Sequence, residues 1–284
     1  MSTPASARAR RPAAVLASWE FREAVRARWV VVMASVFGVL SVTVTLLAFR
    51  TVRELGLSGI GPASASLVNL GVLLPSLMGL LLGAGSIVAP RERGLLTLIA
   101  AQPLSRGSVA TGALLGLIGA LWTTIGVGFG AALVILSGIA RVNDVPSLVA
   151  LVGATLGVAA ACISIGLAVS SIASTRSQAV ATAVGLWIVF ALGVDLALAA
   201  LAPSVHLGPT GLLAAILLDP LEAGRVLALL GTNLEGTALG PFGAYLIDTF
   251  GGVGSVLILA ADLVAWTVAP LLLARWALPR RDLA

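Results

Sequence analysis

Apolar runs of twenty residues or more recur six times along this chain, and runs of that length dictate what their backbone must do. About 20 residues of helix, rising ~1.5 Å each, cross the ~30 Å hydrocarbon core of a bilayer. Inside lipid, backbone N–H and C=O groups must find partners within the protein, so each run is expected to be an α-helix. The runs lie at 30–49, 67–89, 109–139, 147–174, 179–202 and 254–274. Alternating stretches that would suit a membrane β-barrel are not visible. A mean hydropathy of +1.09 does not suit a soluble domain of this size. The expected fold is an all-α polytopic membrane protein with six transmembrane helices.

The polar residues gather between the runs, and their chemistry narrows the function. All 17 basic residues are arginine, and the net charge is +5. That balance alone would suggest a nucleic-acid partner. The arginines sit beside the spans, which points to topology and anionic lipid, and no nucleic acid is expected. Without lysine there is no P-loop lysine to hold ATP and no lysine for a Schiff base. The single cysteine, Cys162, excludes an internal disulfide and a multi-cysteine zinc site. It reads as a small buried side chain within a span. His206, the one histidine, lies just beyond the fifth run and reads as a loop or cap residue rather than half of a Ser–His pair. No acidic cluster suits metal-dependent phosphoryl transfer, and Met1, Met33 and Met78 form no thioether stripe for copper. The chain is expected to bind no metal or cofactor and to be no enzyme.

Residues 1–15 read as a basic disordered tail rather than a cleavable signal, because the first apolar run begins only near residue 30. Residues 16–29 follow as an amphipathic helix. Phe21, Val25 and Trp29 share one face, Glu20, Arg22, Glu23 and Arg26 take the others, and the helix should lie in the membrane interface. The transmembrane domain then spans 30–274, with a basic tail at 275–284. Pro75 should kink the second span. The third run exceeds the hydrocarbon core, and its pairs Gly112/Gly116 and Gly126/Gly130 are spaced for close helix packing. Between the fifth and sixth spans, 203–252 forms the longest segment without a full span. Its apolar run 212–218 is too short to cross. Asp219 and Pro220 then read as the N-cap and first residue of another helix, so a re-entrant or interfacial helix pair is expected.

Six spans put both termini on one side. With the termini in the cytoplasm, 13 of the 17 arginines are cytoplasmic, leaving Arg50, Arg53, Arg141 and Arg225 outside. The positive-inside rule therefore favours cytoplasmic termini, and it places 90–106 and the polar turn 174–178 on the same side.

Segment 90–106 reads P-R-E-R-G-L-L-T-L-I-A-A-Q-P-L-S-R. Leu95, Leu96, Leu98 and Ile99 suit a short helix with one apolar face, which Gly94 precedes and Pro103 ends. Charges flank it at Arg91, Glu92, Arg93 and Arg106. A short helix lying flat between two spans is a docking surface for a soluble partner.

The strings Glu92-Arg93-Gly94, Leu96, Leu98-Ile99 and Gln102-Pro103-Leu104-Ser105-Arg106 resemble the coupling-helix segment of ABC-2 type ABC transporter permeases. That segment is close to E-x-G-T-L-x-x-L-L-x-x-P-V-S-R. The chain differs at Leu95, where threonine is common, and at Thr97, where glutamate is frequent. The resemblance covers about residues 15–278 and implies a bacterial cytoplasmic-membrane subunit acting as a pair, a homodimer. Two copies of a separate ABC ATPase would hold the ATP and magnesium. It also implies that Glu92, Arg93 and Arg106 make polar contacts with the ATPase, that Leu95, Leu98 and Ile99 fill a groove on it, and that Arg176 in the polar turn adds a second contact. The runs 219–230 and 240–245 further resemble the permease of the nitrous-oxide reductase maturation transporter. That likeness implies a periplasmic accessory protein and delivery related to copper–sulfur cluster assembly. With so few Cys, Met and His, a sulfur species or mechanical coupling is the role implied for this chain.

Two carboxylates, Asp195 and Asp262, fall inside the fifth and sixth spans, each about eight residues from its outer end. Intramembrane acids face cavities or partners. These two are expected either to line a pathway or outer gate, or to form structural pairs with Arg225, His206 or the backbone. No basic residue lies at their depth within a span, so an ion pair would need a loop arginine folding back. Three other readings stay open: a membrane scaffold without transport, a secondary transporter, and an ABC exporter of lipid, peptide or antibiotic. A secondary transporter would favour midplane acids in both halves, whereas here they occur only in the C-terminal half.

Overall fold

A computed structural model describes residues 5–26, 28–54, 61–94, 106–139, 145–201, 208–232, 236 and 239–281. Ten helices and no strand occur among these residues. They are α1 (Ala5–Arg26), α2 (Arg28–Glu54), α3 (Gly61–Gly85), α4 (Val88–Glu92), α5 (Arg106–Ile139), α6 (Val145–Ile172), α7 (Arg176–Leu201), α8 (Pro209–Leu217), α9 (Pro220–Thr232) and α10 (Gly240–Arg281). Apolar stretches long enough to cross a bilayer occur at Val68–Glu92, Gly107–Ala131, Val149–Ile172, Arg176–Ala197 and Gly240–Leu278. A sixth candidate is the pair Leu16–Arg26 and Val31–Val44, bent by 63°, which is long and apolar enough only when counted together. The expected 30–49 run falls inside α2.

The core is centred on α6, which packs most extensively against α3 and then against α10 and α9. Helices in lipid gain little from apolar burial, so close backbone approach and van der Waals contact must hold them together. The α3–α6 seam meets that requirement with glycine. A Cβ on Gly83 would collide with the carbonyl oxygen of Ile163, one on Gly166 with that of Leu80, and one on Gly79 would lie 2.9 Å from that of Ala159. Cys162 is fully buried in this seam, as expected. The glycine pairs of α5 behave differently. Gly116 receives α1 at Ala17 and Glu20, whereas Gly126 and Gly130 have open space where a Cβ would go. The last pair is therefore no packing motif among the described residues.

Indole N–H groups stitch the bundle crosswise. Trp122 donates to the carbonyl of Leu156 at 3.0 Å, Trp187 to Ser76 Oγ at 3.1 Å, and Trp266 to the carbonyl of Leu217 at 3.1 Å. In an apolar medium an unpaired indole N–H or carbonyl is expensive, so each bond fixes a register between helices. Helix α10 starts fourteen residues earlier than the expected sixth span and is broken at Gly251 (φ 72°, ψ 164°). Glycine adopts that backbone without the Cβ penalty other residues meet. The break separates a short first helix from the span proper.

Candidate functional site

Two regions concentrate polar chemistry, one at each end of the bundle. The arginine-rich end carries α4 and the start of segment 90–106. Helix α3 ends at Gly85, and after two intervening residues α4 begins at Val88. At that restart the backbone N–H groups of Ile87 and Val88 both donate to Ser170 Oγ on α6, at 3.1 and 3.0 Å. Ser170 is fully buried. Arg91 donates to the carbonyl of Ala173 at 3.2 Å, just beyond the C-terminus of α6. Glu92 Oε1 accepts the backbone N–H of Arg176 at 2.7 Å.

That last bond sits at a helix start. Arg176 is the first residue of α7, and the first four N–H groups of a helix have no partner within it. A carboxylate there is doubly favoured, as an acceptor and as a charge facing the positive end of the helix dipole. The α6–α7 turn supplies the other partners itself. Thr175 Oγ1 accepts the N–H of Gln178 at 3.3 Å, and Gln178 Oε1 accepts that of Ser174 at 3.1 Å. This is close to a capping box, the reciprocal pairing of a Ser/Thr N-cap with Glu or Gln three residues on.

Past Glu92 the chain turns away from the bundle. Arg93 caps α4 and is exposed, and Gly94 follows with φ 71°, a left-handed conformation that glycine suits. Leu95, Leu98, Ile99 and Pro103, expected to form and end the docking helix, lie outside the described residues. Arg106 opens α5, and the guanidinium of Arg275 on α10 lies against Gly107. The two ends of the segment are therefore held by different parts of the bundle, the first by α6 and α7 and the second by α5 beside α10.

The opposite end carries a hairpin of α8 and α9. Gly231 of α9 packs on Ala150, and Gly224 packs on Val158, so α9 descends along α6 towards its middle. The tip, Leu218–Asp219–Pro220, thus enters the bundle to about half the length of α6, and the pair is re-entrant rather than laid on the surface. Irregular backbone at that depth survives only where its polar groups are satisfied. Asp219 Oδ1 accepts the N–H groups of Leu221 and Glu222 at 2.8 and 3.4 Å, forming the expected N-cap with Pro220 in the first turn. Trp266 satisfies the carbonyl of Leu217 at the end of α8. Glu222 is buried and bonded to Arg225, whose guanidinium also lies 3.8 Å from Asp195 Oδ2 on α7. An arginine of the intervening segment does fold back to the intramembrane acid.

Asp195 and Asp262 are not bonded to each other among the described residues. Their depths nevertheless match. Phe190 on α7 and Trp266 on α10 meet edge to face at 5.9 Å, and each carboxylate lies four or five residues beyond that contact towards the hairpin end. Asp195 is 60% exposed, whereas Asp262 Oδ2 is buried with no hydrogen-bond partner among the described residues. His206 lies outside the described residues. Between α2 and α5 a lateral groove of about 650 Å³ opens, lined by residues such as Val39, Val127 and Gly128. Its hydroxyls at Ser35, Thr43, Thr123 and Thr124 bond back to their own helices, leaving hydrocarbon at the wall. No three of His, Cys, Asp and Glu converge to hold a metal among the described residues.

Residues 14–283 match the ABC-2 family transporter protein family. The chain is 34% identical over 270 residues to the "Probable ABC transporter permease protein NosY" of Pseudomonas aeruginosa, covering 92% of each chain. It is 29% identical over 232 residues to the protein of the same name from Stutzerimonas stutzeri, covering 79% of this chain and 84% of that one.

Proposed function

This chain belongs to the ABC-2 family of transporter permeases, and from that premise we propose that it couples ATP hydrolysis by a separate ATPase to movement of its spans in a bacterial cytoplasmic membrane. The observation that carries the reading is the junction at α4, where the docking segment begins as a continuation of a core span and is hydrogen-bonded to two others. A surface built this way transmits force, whereas a loose loop absorbs it. In this reading Arg93 and Arg106 bracket the contact with the ATPase, and Leu95, Leu98 and Ile99 fill a groove on it. The arginine distribution supports a cytoplasmic position for this end and for both termini. Two permease copies and two ATPase subunits form the working unit, with ATP and magnesium held by the ATPases.

The hairpin end then faces the periplasm. Its Arg225–Asp195 contact joins the re-entrant tip to α7, and Asp262 lies at similar depth on α10, so these groups form the outer gate. The likeness to NosY permeases supports a role in nitrous-oxide reductase maturation, with a periplasmic accessory protein receiving a copper- or sulfur-related cargo.

Affinity purification of the tagged chain from its native membrane, in mild detergent with nucleotide present, tests the reading. A stoichiometric ABC ATPase is expected, and a periplasmic companion would specify the cargo. Repeated recovery without any ATPase would leave a scaffold without transport.

A further inference from the structure

We infer that Glu92 is a positioning residue rather than an ATPase contact, and that with Ser170 it welds the start of segment 90–106 and the α6–α7 turn into one cytoplasmic unit. This rests on the coupling role proposed above for the segment. Glu92 is the one acid of 90–106, and among the segment's charges it is the natural candidate for an ion pair with a partner. Glu92 is exposed, and the geometry turns its carboxylate to the start of α7. Its Oε1 lies 2.7 Å from the Arg176 N–H, a donor that α7 cannot satisfy for itself. Ser170 does the same for two donors, because the break between α3 and α4 leaves the N–H groups of Ile87 and Val88 turned towards α6. Arg91 adds a third link by donating to the carbonyl of Ala173. Three contacts from α4 and its first turn thus land within seven residues of one another, 170–176.

The consequence is mechanical. A push delivered to the docking segment reaches α3 through the chain and reaches α6 and α7 through these bonds. The turn at 174–178 therefore needs no separate ATPase contact in order to move with the segment. Among the described residues Glu92 accepts this bond and makes no ion pair, so a neutral amide of the same shape keeps the acceptor and loses only the charge's share.

Amide hydrogen–deuterium exchange on the purified full chain in lipid nanodiscs tests this without any partner. Glu92→Ala should speed exchange at Arg176 by about tenfold or more, as expected for loss of a charge-assisted hydrogen bond, and Glu92→Gln, which keeps the acceptor without the charge, should speed it much less. Ser170→Ala should speed exchange at Ile87 and Val88. If the junction is one unit, each alanine variant also raises exchange at the other's sites, while α3 and α6 stay protected. An unchanged Arg176 rate in Glu92→Ala overturns the inference, and so do effects confined to each variant's own bond. In the complex isolated from membranes, Glu92→Gln should recover the ATPase as the wild type does. Loss of the ATPase from Glu92→Gln with a normal exchange pattern would mean that the charge meets the partner, and the inference would fail. Absence of an ATPase from the wild type would instead sink the coupling role, while the exchange pattern would still decide the junction.

Discussion

Arg225 is bonded to Glu222 within the re-entrant hairpin and reaches Asp195 on α7, and its removal has a cost that can be worked out beforehand. Glu222 is 8% exposed and takes its charge compensation from Arg225. In Arg225→Met, which keeps an apolar stem, the Glu222 carboxylate has two options. It can stay ionised without a partner, which costs about 3–5 kcal/mol for a broken buried pair. Otherwise it can take up a proton. At pH 7 that costs about 3.7 kcal/mol, from ~1.4 kcal/mol per unit over the ~2.7 units above the ordinary glutamate value. The two routes agree, so the loss is about 4 kcal/mol at pH 7. The sign of the pH dependence follows from the proton count. The closed variant holds a proton that the opened hairpin releases to water, so closure weakens as pH rises. At pH 5 the cost falls to about 1 kcal/mol. Amide exchange along α9 reads the opening, and a loss of about 4 kcal/mol is several hundredfold in rate. Adding Glu222→Gln to Arg225→Met should restore much of the protection and remove the share of the pH dependence that Glu222 carries, leaving only that of the Asp219 cap. Asp195→Asn should cost less than Arg225→Met, because the 3.8 Å contact is long and the Arg225–Glu222 bond remains. A loss under about 1 kcal/mol at pH 7 in Arg225→Met, or a loss unchanged between pH 5 and 7, would refute the argument.

Four further outcomes follow from the packing. Gly83→Val should part α3 from α6 at the carbonyl of Ile163 and cost about 1–3 kcal/mol or more by overpacking, read as a lower unfolding temperature in lipid nanodiscs. Gly126→Val, with open space at its Cβ, should leave the folding of the isolated chain unaffected in the same assay. Trp266→Phe keeps a ring against Phe190 but leaves the Leu217 carbonyl unpaired, so the end of α8 should lose protection by about 1–3 kcal/mol in amide exchange. Burial against the bundle, with Glu23 adding repulsion, pushes Glu20 up from 4.5 to about 7. Docked α1 therefore binds more protons than free α1 between those values, and its docking should weaken as pH rises from 4.5 to about 7 and level off above. Tryptic cleavage after Arg22 and Arg26 across that range should follow this curve, and Glu20→Gln should flatten it.

Much of this fold was legible because lipid removes alternatives. Once a run exceeds the hydrocarbon thickness its helix is forced, and the sparse arginines then read as topology. The cap at Asp219 was legible for a local reason, since Asp-Pro fixes both the acceptor and the first turn. Arg225 was legible only as one of three partners for the intramembrane acids, with His206 and the backbone, because no span offered a cation at that depth and a loop arginine would have to fold back. What was not legible depends on which helix meets which. Glycine pairs four apart occur on α3 and on α5 alike. Nothing in the spacing says that Gly79 and Gly83 receive α6 while Gly126 and Gly130 receive nothing among the described residues. The start of the last helix was placed late because Gly251 and Gly252 read as a loop, whereas the helix breaks there and resumes. The bonds of Ser170 carried no signal in the sequence. The capping box at Thr175 and Gln178 did carry one, and it would have reassigned those residues from partner contacts to the start of α7.

The arrangement of α7 ties the two polar regions together. It is the least buried of the four spans from α3 to α7, so van der Waals contact alone holds it weakly within the chain. Its attachments are polar and spaced along its length. The Arg176 N–H meets Glu92 at one end, Trp187 meets Ser76 in the middle, and Asp195 meets Arg225 near the other end. A helix buried on all sides, such as α6, can turn only by disrupting a close-packed seam. A helix held at a few polar points can tilt while its thin packing adjusts, because hydrogen bonds and long ion pairs tolerate small changes of angle better than interlocked backbones do. The chain thus places its stiff contacts where α3 and α6 must stay together. It leaves α7 as the span that joins the docking end to the hairpin.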